Sequence, residues 1–600
     1  MKIAGRCDTH LAMPDSLPAR FNPINPIQAV TMFCSLSLLR ILPRFFTVLL
    51  MCHWGAAAGA AETDVGKAIE ALMNGGSSAL LSGAELSEQR PALIQLYRAN
   101  ANRLLWFGGA NPAQNREQAL AVLRNVADEG LNPRHYDAER LAAYARLAET
   151  AAPDALAGYD LALSAALLRY AGDLHSGRVD PRKLDYPAQL GGLRPQPDLA
   201  AVLQRHWQMQ SLAQLPAELA PNNEQYRLLK RALADFRRRL PETQSGAGLV
   251  FAKSLHPGEG DAQMPELRRR LRELGEADLP AAADADKAAD IYDDASVAAV
   301  KRIQERQGLK ADGVIGRQTL ALLNQSVPEK IAAIELAMER IRWLPEPPAG
   351  PHIVVNIPAF QLWAFKDSQD PQPLRMKVIV GKAPENLTPM LAEDMKYLEF
   401  MPYWNIPKSI MDKEILPKLE GDEAFLDDQD IELVERYSDD EQEEDVVADL
   451  KQGRLRARQR PGANNPLGRV KFVFPNKAEV YLHDTPGKAA FNRDRRDLSH
   501  GCVRVAEADK LAEFVLSDQE GWNPDTIRQA MAGPKTQRVS LKKSVPVLFF
   551  YATAFVDRDG KPRFYPDIYG YDAALRNALN KSVPETGSQL TSKGNATAGS

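Results

Sequence analysis

The chain has 600 residues, of which 44% are hydrophobic and 25% charged, with 74 basic against 78 acidic side chains and a formal net charge of −4. Domains usually run about 100–200 residues, so this length predicts two to four hydrophobic cores. The composition excludes a wholly disordered chain, a collagen and a multi-span membrane protein, and the near-neutral balance argues against a dedicated nucleic-acid binder.

The first predicted element is a signal peptide within 1–61. Arg40 and Arg44 precede an apolar run at 45–51 and a small-residue stretch at 55–61, the three parts of a secretory signal. That run is too short for a spanning helix, which needs about 20 apolar residues. A start at Met32 would give a signal of ordinary length, and bulky Met51 ahead of Cys52 argues against a lipoprotein site. Cleavage near Ala61 would remove Cys7, Cys34 and Cys52, leaving Cys502 alone and no internal disulfide. A single thiol in an oxidising compartment is a liability unless it is buried or used.

Residues 64–255 read as a mainly helical scaffold. Leu163, Leu167, Tyr170 and Leu174 recur at helical spacing until Gly177 and Pro181 stop the run. Next come short helices at 267–274 and 296–307, separated by a low-complexity bridge at 280–289, and a third helix starting near Arg317. The pattern Ile303-Gln304, Gly308-Leu309, Asp312-Gly313 and Gly316 requires a tight turn that glycine permits. On these residues the segment 263–325 resembles the small three-helix peptidoglycan-binding module of bacterial wall enzymes. The plain alternative is a helical hairpin that binds nothing.

Beyond 350 the period changes to that of strands, at 352–358, 360–365, 376–380, 470–474, 479–482 and 545–551. A β-rich domain over 350–550 follows, interrupted by an insert at about 410–465. From 420 to 445 the insert holds 14 acidic residues and one arginine, and 450–471 holds seven Lys or Arg and no acid. Such opposed blocks usually mark solvated surface; their place ahead of the cysteine also suits a lid. Residues 551–580 read as a C-terminal scaffold piece and 581–600 as a disordered tail.

The chemistry concentrates around Cys502. Two of the nine histidines, His483 and His500, lie 19 and 2 positions before it. A thiol attacks as thiolate, and an adjacent imidazole can take its proton and hold an ion pair that lowers the thiol pKa. Gly501 lets backbone N–H groups approach an oxyanion. Arg504 lies on the same side as Cys502 if the segment is extended, where it could dock a carboxylate. Neither a metal-ligand spacing nor a phosphate loop is evident, so no metal or cofactor is expected.

The box Ser499-His500-Gly501-Cys502-Val503-Arg504 with upstream His483 resembles the signature of the L,D-transpeptidases of bacterial peptidoglycan. Val355-Asn356-Ile357-Pro358, Thr388-Pro389, Tyr403-Trp404-Asn405-Ile406-Pro407 and Leu482-His483-Asp484-Thr485-Pro486 resemble its large multidomain Gram-negative periplasmic branch. The resemblance implies a multidomain α+β protein with a helical scaffold, a peptidoglycan-binding module and a capped β-rich catalytic domain. It implies periplasmic localisation, with peptidoglycan stem peptides and glycan as partners, cell-wall synthases beside them, and a role in cell shape. Neither nucleic acid nor a membrane span after signal cleavage is expected. The implied reaction is acyl transfer through a Cys502 thioester, from a tetrapeptide donor that releases D-Ala to the diaminopimelate amine of an acceptor, giving 3→3 cross-links and sensitivity to carbapenems. His483 would be the general base, oriented by a backbone carbonyl near Asp484. Gly501 and Ser499 would shape the turn and oxyanion hole, with His500 secondary. Arg504, Tyr403 and Trp404 would contact substrate, the last two being alternatively core. A sortase-like cysteine transpeptidase and a non-catalytic wall-binding scaffold are the rival readings.

Overall fold

The computed structural model describes residues 64–76, 80, 83–148, 152–190, 194–239, 248–276, 290–421, 424–435, 446–557 and 559–581. The expected signal peptide, the bridge at 280–289, the acidic stretch at 436–445 and the tail after 581 lie outside the described residues. Helices and strands are segregated along the chain, which makes the architecture multidomain α+β. Among the described residues no helix is long and apolar enough to cross a membrane.

The N-terminal region packs helices around Pro153–Ser176, which is apolar on nearly every side and therefore buried. Asp160 on that helix is fully buried yet satisfied: its carboxylate accepts from the Tyr97 hydroxyl at 2.6 Å and from the Leu105 and Trp106 amides at 2.9 and 2.8 Å. This region is not all helix. A strand, β1 (Ala188–Leu190), pairs in parallel with Met390–Ala392 of the β-rich domain. No alternation in so short a segment announces it; the edge it fills exists only once the sheet has formed.

The helix Val327–Arg342 opens with a Ser326/Glu329 capping box and carries the junction between the regions. Arg340, fully buried, donates to Asp572 of the C-terminal helix Tyr571–Lys581 at 2.5 Å, and Glu339 accepts the Arg178 and Val179 amides at 2.6 and 3.0 Å. Pairing is obligatory there, because a buried charge stripped of its partner costs several kcal/mol, about 3–5.

Helices Met264–Glu273, Asp294–Arg306 and Arg317–Asn324 enclose a separate apolar core that includes Met264, Leu271, Val300 and Ile315. Gln304 explains the motif around it. Its side chain accepts the Gly313 amide at 2.8 Å and donates to the Val314 carbonyl at 2.9 Å, while Gly313 sits at φ +77°, where a Cβ would press on Val297.

The β-rich domain is built from β2 (His352–Asn356), β3 (Gln361–Phe365), β4 (Leu374–Gly381), β5 (Met390–Phe400), β9 (Val470–Val473), β10 (Leu482–His483), β11 (Asp497–Ser499), β12 (Val503–Val505) and β13 (Gln537–Phe550). Between β5 and β9, strands β6 (Trp404–Asn405), β7 (Ile431–Glu435) and β8 (Leu455–Gln459) form the insert's own three-stranded sheet. The order β5-β13-β2-β3-β4-β12-β10-β9 closes on itself, because β9 also pairs with the C-terminal half of β5. Closure removes free edges. Inside, Val355, Leu362, Val378, Leu398, Phe472, Leu482 and Val503 are all fully buried. Each such side chain contributes about 1.5–3 kcal/mol by leaving water. The strand expected at 479–482 is only Leu482–His483. Glu479 turns at φ +54°, and Asn476 instead binds the loop by accepting the Ala478 and Val480 amides at 3.1 and 3.2 Å.

Candidate active site

A parallel strand pair sets the strand of His483 beside the strand that Cys502 leads into. β10 lies beside β12, with Leu482 opposite Val503 and His483 opposite Arg504. The apolar partners point into the core and the polar ones to the other face, the period-2 division of a half-buried sheet. Cys502 immediately precedes β12 and is half-buried. Arg504 is also half-buried, and its Nε has no hydrogen-bond partner among the described residues.

His483 is buried, and its Nδ1 lies 2.6 Å from the carbonyl of Asp484. A carbonyl only accepts, so Nδ1 carries the proton and Nε2 keeps its lone pair. Asp484 is fixed in turn: its carboxylate accepts the Arg469 amide at 2.8 Å and the Lys488 ammonium at 2.6 Å. Gly468 is required beside it, since at φ +61° a Cβ would stand 2.4 Å from the Asp484 carboxylate oxygen.

The turn carrying Cys502 is held from two sides. The Ser499 hydroxyl donates to the Cys502 carbonyl at 2.5 Å and accepts the Gly501 amide at 3.3 Å. Gly501 adopts φ +112°, a conformation that glycine alone takes readily. Its carbonyl accepts the Thr388 hydroxyl at 2.7 Å, and the same hydroxyl accepts the Gly381 amide at 2.8 Å. Tyr569 closes this arrangement by donating to the Gly381 carbonyl at 2.6 Å, which brings the 551–580 segment to the site.

The expected ion pair is not the resting state. Burial pushes the Cys502 thiol above its ordinary value, outweighing the opposing Tyr481 hydrogen bonds and the Lys471 and Arg504 charges. Burial likewise pushes His483 down to about 3, aided by Arg504, Lys471 and Lys488. Both groups are therefore neutral near pH 7. Desolvation wins because the imidazole is almost wholly enclosed and its neighbours are cations.

His500 points elsewhere. Its Nε2 lies 2.6 Å from Glu414 Oε1 on the insert's π-helical turn Met411–Ile415, both side chains being exposed. The insert has its own small core of Ile410, Met411, Ile415, Leu416, Ile431 and Leu450. Trp404 packs against that core, and the Arg458 guanidinium lies 4.2 Å over the Tyr403 ring, so both aromatics belong to the insert's neck. Buried Asn465 ties the two ends of the neck by donating to the Pro402 and Arg460 carbonyls, each at 3.1 Å.

Sequence reading missed Tyr481 and Lys471. Tyr481 bonds to Cys502 and stands edge-on to His483, ring centroids 5.6 Å apart; Lys471 Nζ lies 4.0 Å over the Tyr481 ring. The i, i+2 spacing of Tyr481 and His483 was the available signal. Lys471 had none, because it reaches the site only through the antiparallel β9–β10 pairing that sets it opposite His483.

The site thus sets a half-buried thiol at the start of β12 and an oriented imidazole on its paired strand β10, within a closed β domain. Residues 350–547 match the family model of the L,D-transpeptidase catalytic domain, residues 260–323 that of a "Putative peptidoglycan binding domain", and residues 91–233 that of a scaffold domain. These matches divide the chain into a scaffold-like, a peptidoglycan-binding-like and an L,D-transpeptidase-like region. It is 32% identical over 279 residues to a curated Haemophilus influenzae protein named "Putative L,D-transpeptidase", a match covering 45% of this chain. The chain spans about half the length of that relative, 55%. A solved L,D-transpeptidase structure from Xylanimonas cellulosilytica (residues 123–326) matches at 16% identity over 50% of this chain and all of that one, with a TM-score of 0.15, too low to bear on the fold.

Proposed function

We propose that the protein is a peptidoglycan L,D-transpeptidase acting outside the cytoplasm, in the periplasm, with Cys502 as nucleophile and His483 as general base. The observation that carries this is the His483 Nδ1 bond to the Asp484 carbonyl, which leaves Nε2 as acceptor on the strand paired beside Cys502.

The chemistry follows from the neutral pair. As the sulfur attacks the carbonyl between the third residue of a donor stem and its terminal D-Ala, the thiol proton passes to His483 Nε2. Charge develops on the carbonyl oxygen, and the glycine turn at 501 lets backbone amides approach it. Among the described residues the Gly501 amide is held by a long bond to Ser499, which an oxyanion could displace. The C–N bond breaks, the imidazolium returns its proton to the departing D-Ala amine, and a thioester remains. The side-chain amine of a diaminopimelate on another stem then attacks the thioester, His483 takes the surplus amine proton, and the thiol is restored with a 3→3 link formed. A thioester conserves the cleaved bond's energy, so no nucleotide is needed. The module at 260–323 would hold the enzyme on the wall polymer while the insert limits water, which would otherwise give hydrolysis.

The test is to incubate the mature chain with tetrapeptide-bearing wall fragments and separate the muropeptides. Tetra-tri 3→3 dimers and free D-Ala are expected, and both should vanish with Cys502→Ala. Products that persist in that variant would refute the assignment.

A further inference from the structure

Tyr569 lies in the 551–580 segment, outside the strands beside Cys502 and His483, yet its half-buried hydroxyl is bonded twice. It donates to the Gly381 carbonyl at 2.6 Å and accepts the Thr388 amide at 3.3 Å. Those two residues are the ends of the loop 381–388, which closes so tightly that a Cβ on Gly381 would stand 1.8 Å from the Asn386 carbonyl oxygen. Burial pushes the Tyr569 hydroxyl up to about 12, so it keeps its proton and remains a donor. The tyrosine is itself held. Its amide donates to the Tyr551 hydroxyl at 3.0 Å, and that hydroxyl donates to Asp567 at 2.5 Å. The Arg340 guanidinium, 5.2 Å over the Tyr551 ring, ties this anchor to the junction helix.

The loop reaches the Cys502 turn at two carbonyls. The Lys382 amide donates to that of Ser499 at 2.9 Å, and the Thr388 hydroxyl to that of Gly501 at 2.7 Å. A trans peptide holds its C=O and the following N–H in one plane, aimed to opposite sides. Fixing the Gly501 carbonyl therefore also fixes the direction of the Cys502 amide, which points away from Thr388 and donates to no group among the described residues. Gly501, at φ +112°, adds little stiffness of its own, so the plane depends on its outside support. We infer that Tyr569 is a positioning residue for acyl transfer at Cys502: through the loop 381–388 it holds Thr388, and Thr388 holds the Gly501–Cys502 peptide plane. Tyr569 acts through Thr388 and not on the reacting atoms. The inference rests on the proposed role of Cys502 as the residue acylated by a stem peptide.

Tyr569→Phe keeps the ring and deletes both bonds. With a synthetic tetrapeptide donor, kcat for D-Ala release should fall about tenfold while KM stays within about twofold. Adding Tyr569→Phe to Thr388→Val should slow the reaction no further, because both substitutions cut one path. Tyr571→Phe deletes a neighbouring hydroxyl that has no partner among the described residues, and should leave kcat unchanged. A readout independent of turnover is the backbone amide resonance of Cys502 in protein isotope-labelled at cysteine nitrogen, assigned by its absence from Cys502→Ser. It should shift in Tyr569→Phe and stay in place in Tyr571→Phe. An unshifted resonance in Tyr569→Phe, or losses that multiply in the double variant, overturns the positioning role. Failure of the enzymatic reading shows differently: the parent chain then releases no D-Ala, while the resonance still decides whether Tyr569 sets the Cys502 amide.

Discussion

Thr388 and Gly501, 113 residues apart, are joined by a 2.7 Å hydrogen bond from the threonine hydroxyl to the glycine carbonyl. The same oxygen accepts the Gly381 amide at 2.8 Å, so one buried hydroxyl fixes the Cys502 turn to the end of β4. Thr388→Val keeps the shape and removes both bonds. Each buried group left unsatisfied costs about 1–3 kcal/mol. Urea unfolding should show a loss of that order, and the turn should acylate more slowly. Thr388→Ser should recover most of both.

His483 makes stability depend on pH. Its folded value, about 3, lies below the ordinary histidine value of about 6.5, so between these limits the unfolded chain binds the extra proton. The contribution is fully present above about pH 6.5 and is lost as pH falls towards 3, with a slope of up to about 1.4 kcal/mol per pH unit. His483→Gln should flatten the stability profile in that window. A variant profile parallel to the parent's would show that His483 is not held neutral by the fold.

The neutral thiol predicts a specific alkylation profile. Because burial holds Cys502 above the ordinary thiol value, its iodoacetamide reactivity should still be rising at about pH 8.5. A plateau already reached at pH 6 would indicate a resting thiolate–imidazolium pair.

Carbapenem capture tests the machinery separately from wall substrates. Intact-mass spectrometry should find one adduct on the protein and none on Cys502→Ala. His483→Ala should slow adduct formation about 100-fold or more, the usual weight of a general base. His500→Ala should change it little, because that ring is committed to Glu414.

The His500–Glu414 pair links the insert to the residue two before Cys502. Both side chains are over two-fifths exposed, so the pair contributes only about 0–1 kcal/mol to stability. Glu414→Gln should leave the melting temperature nearly unchanged while raising the ratio of hydrolysis to transfer. An unchanged ratio would mean that the insert does not guard the thioester through this contact.

Local chemistry made part of this protein legible in one dimension. The Ser499–Arg504 box, the helical spacing through Leu163–Leu174, the glycine turn around Gly313 and the β-branched runs after 350 are properties of neighbouring residues, which backbone preference and side-chain period decide. His483 could be singled out because imidazole chemistry beside a cysteine is a matter of residue type. Tertiary structure alone decided what surrounds them. The β9–β10 register brings Lys471 to His483, Thr388 reaches Gly501 across the turn, β1 adds a scaffold strand to the catalytic sheet, and Glu414 takes His500 away from the sulfur. The protonation states belong to this second group. Sequence can say that a thiol and an imidazole are present, but whether they rest as ions depends on how much water the fold removes from each, and burial is a property of the assembled chain.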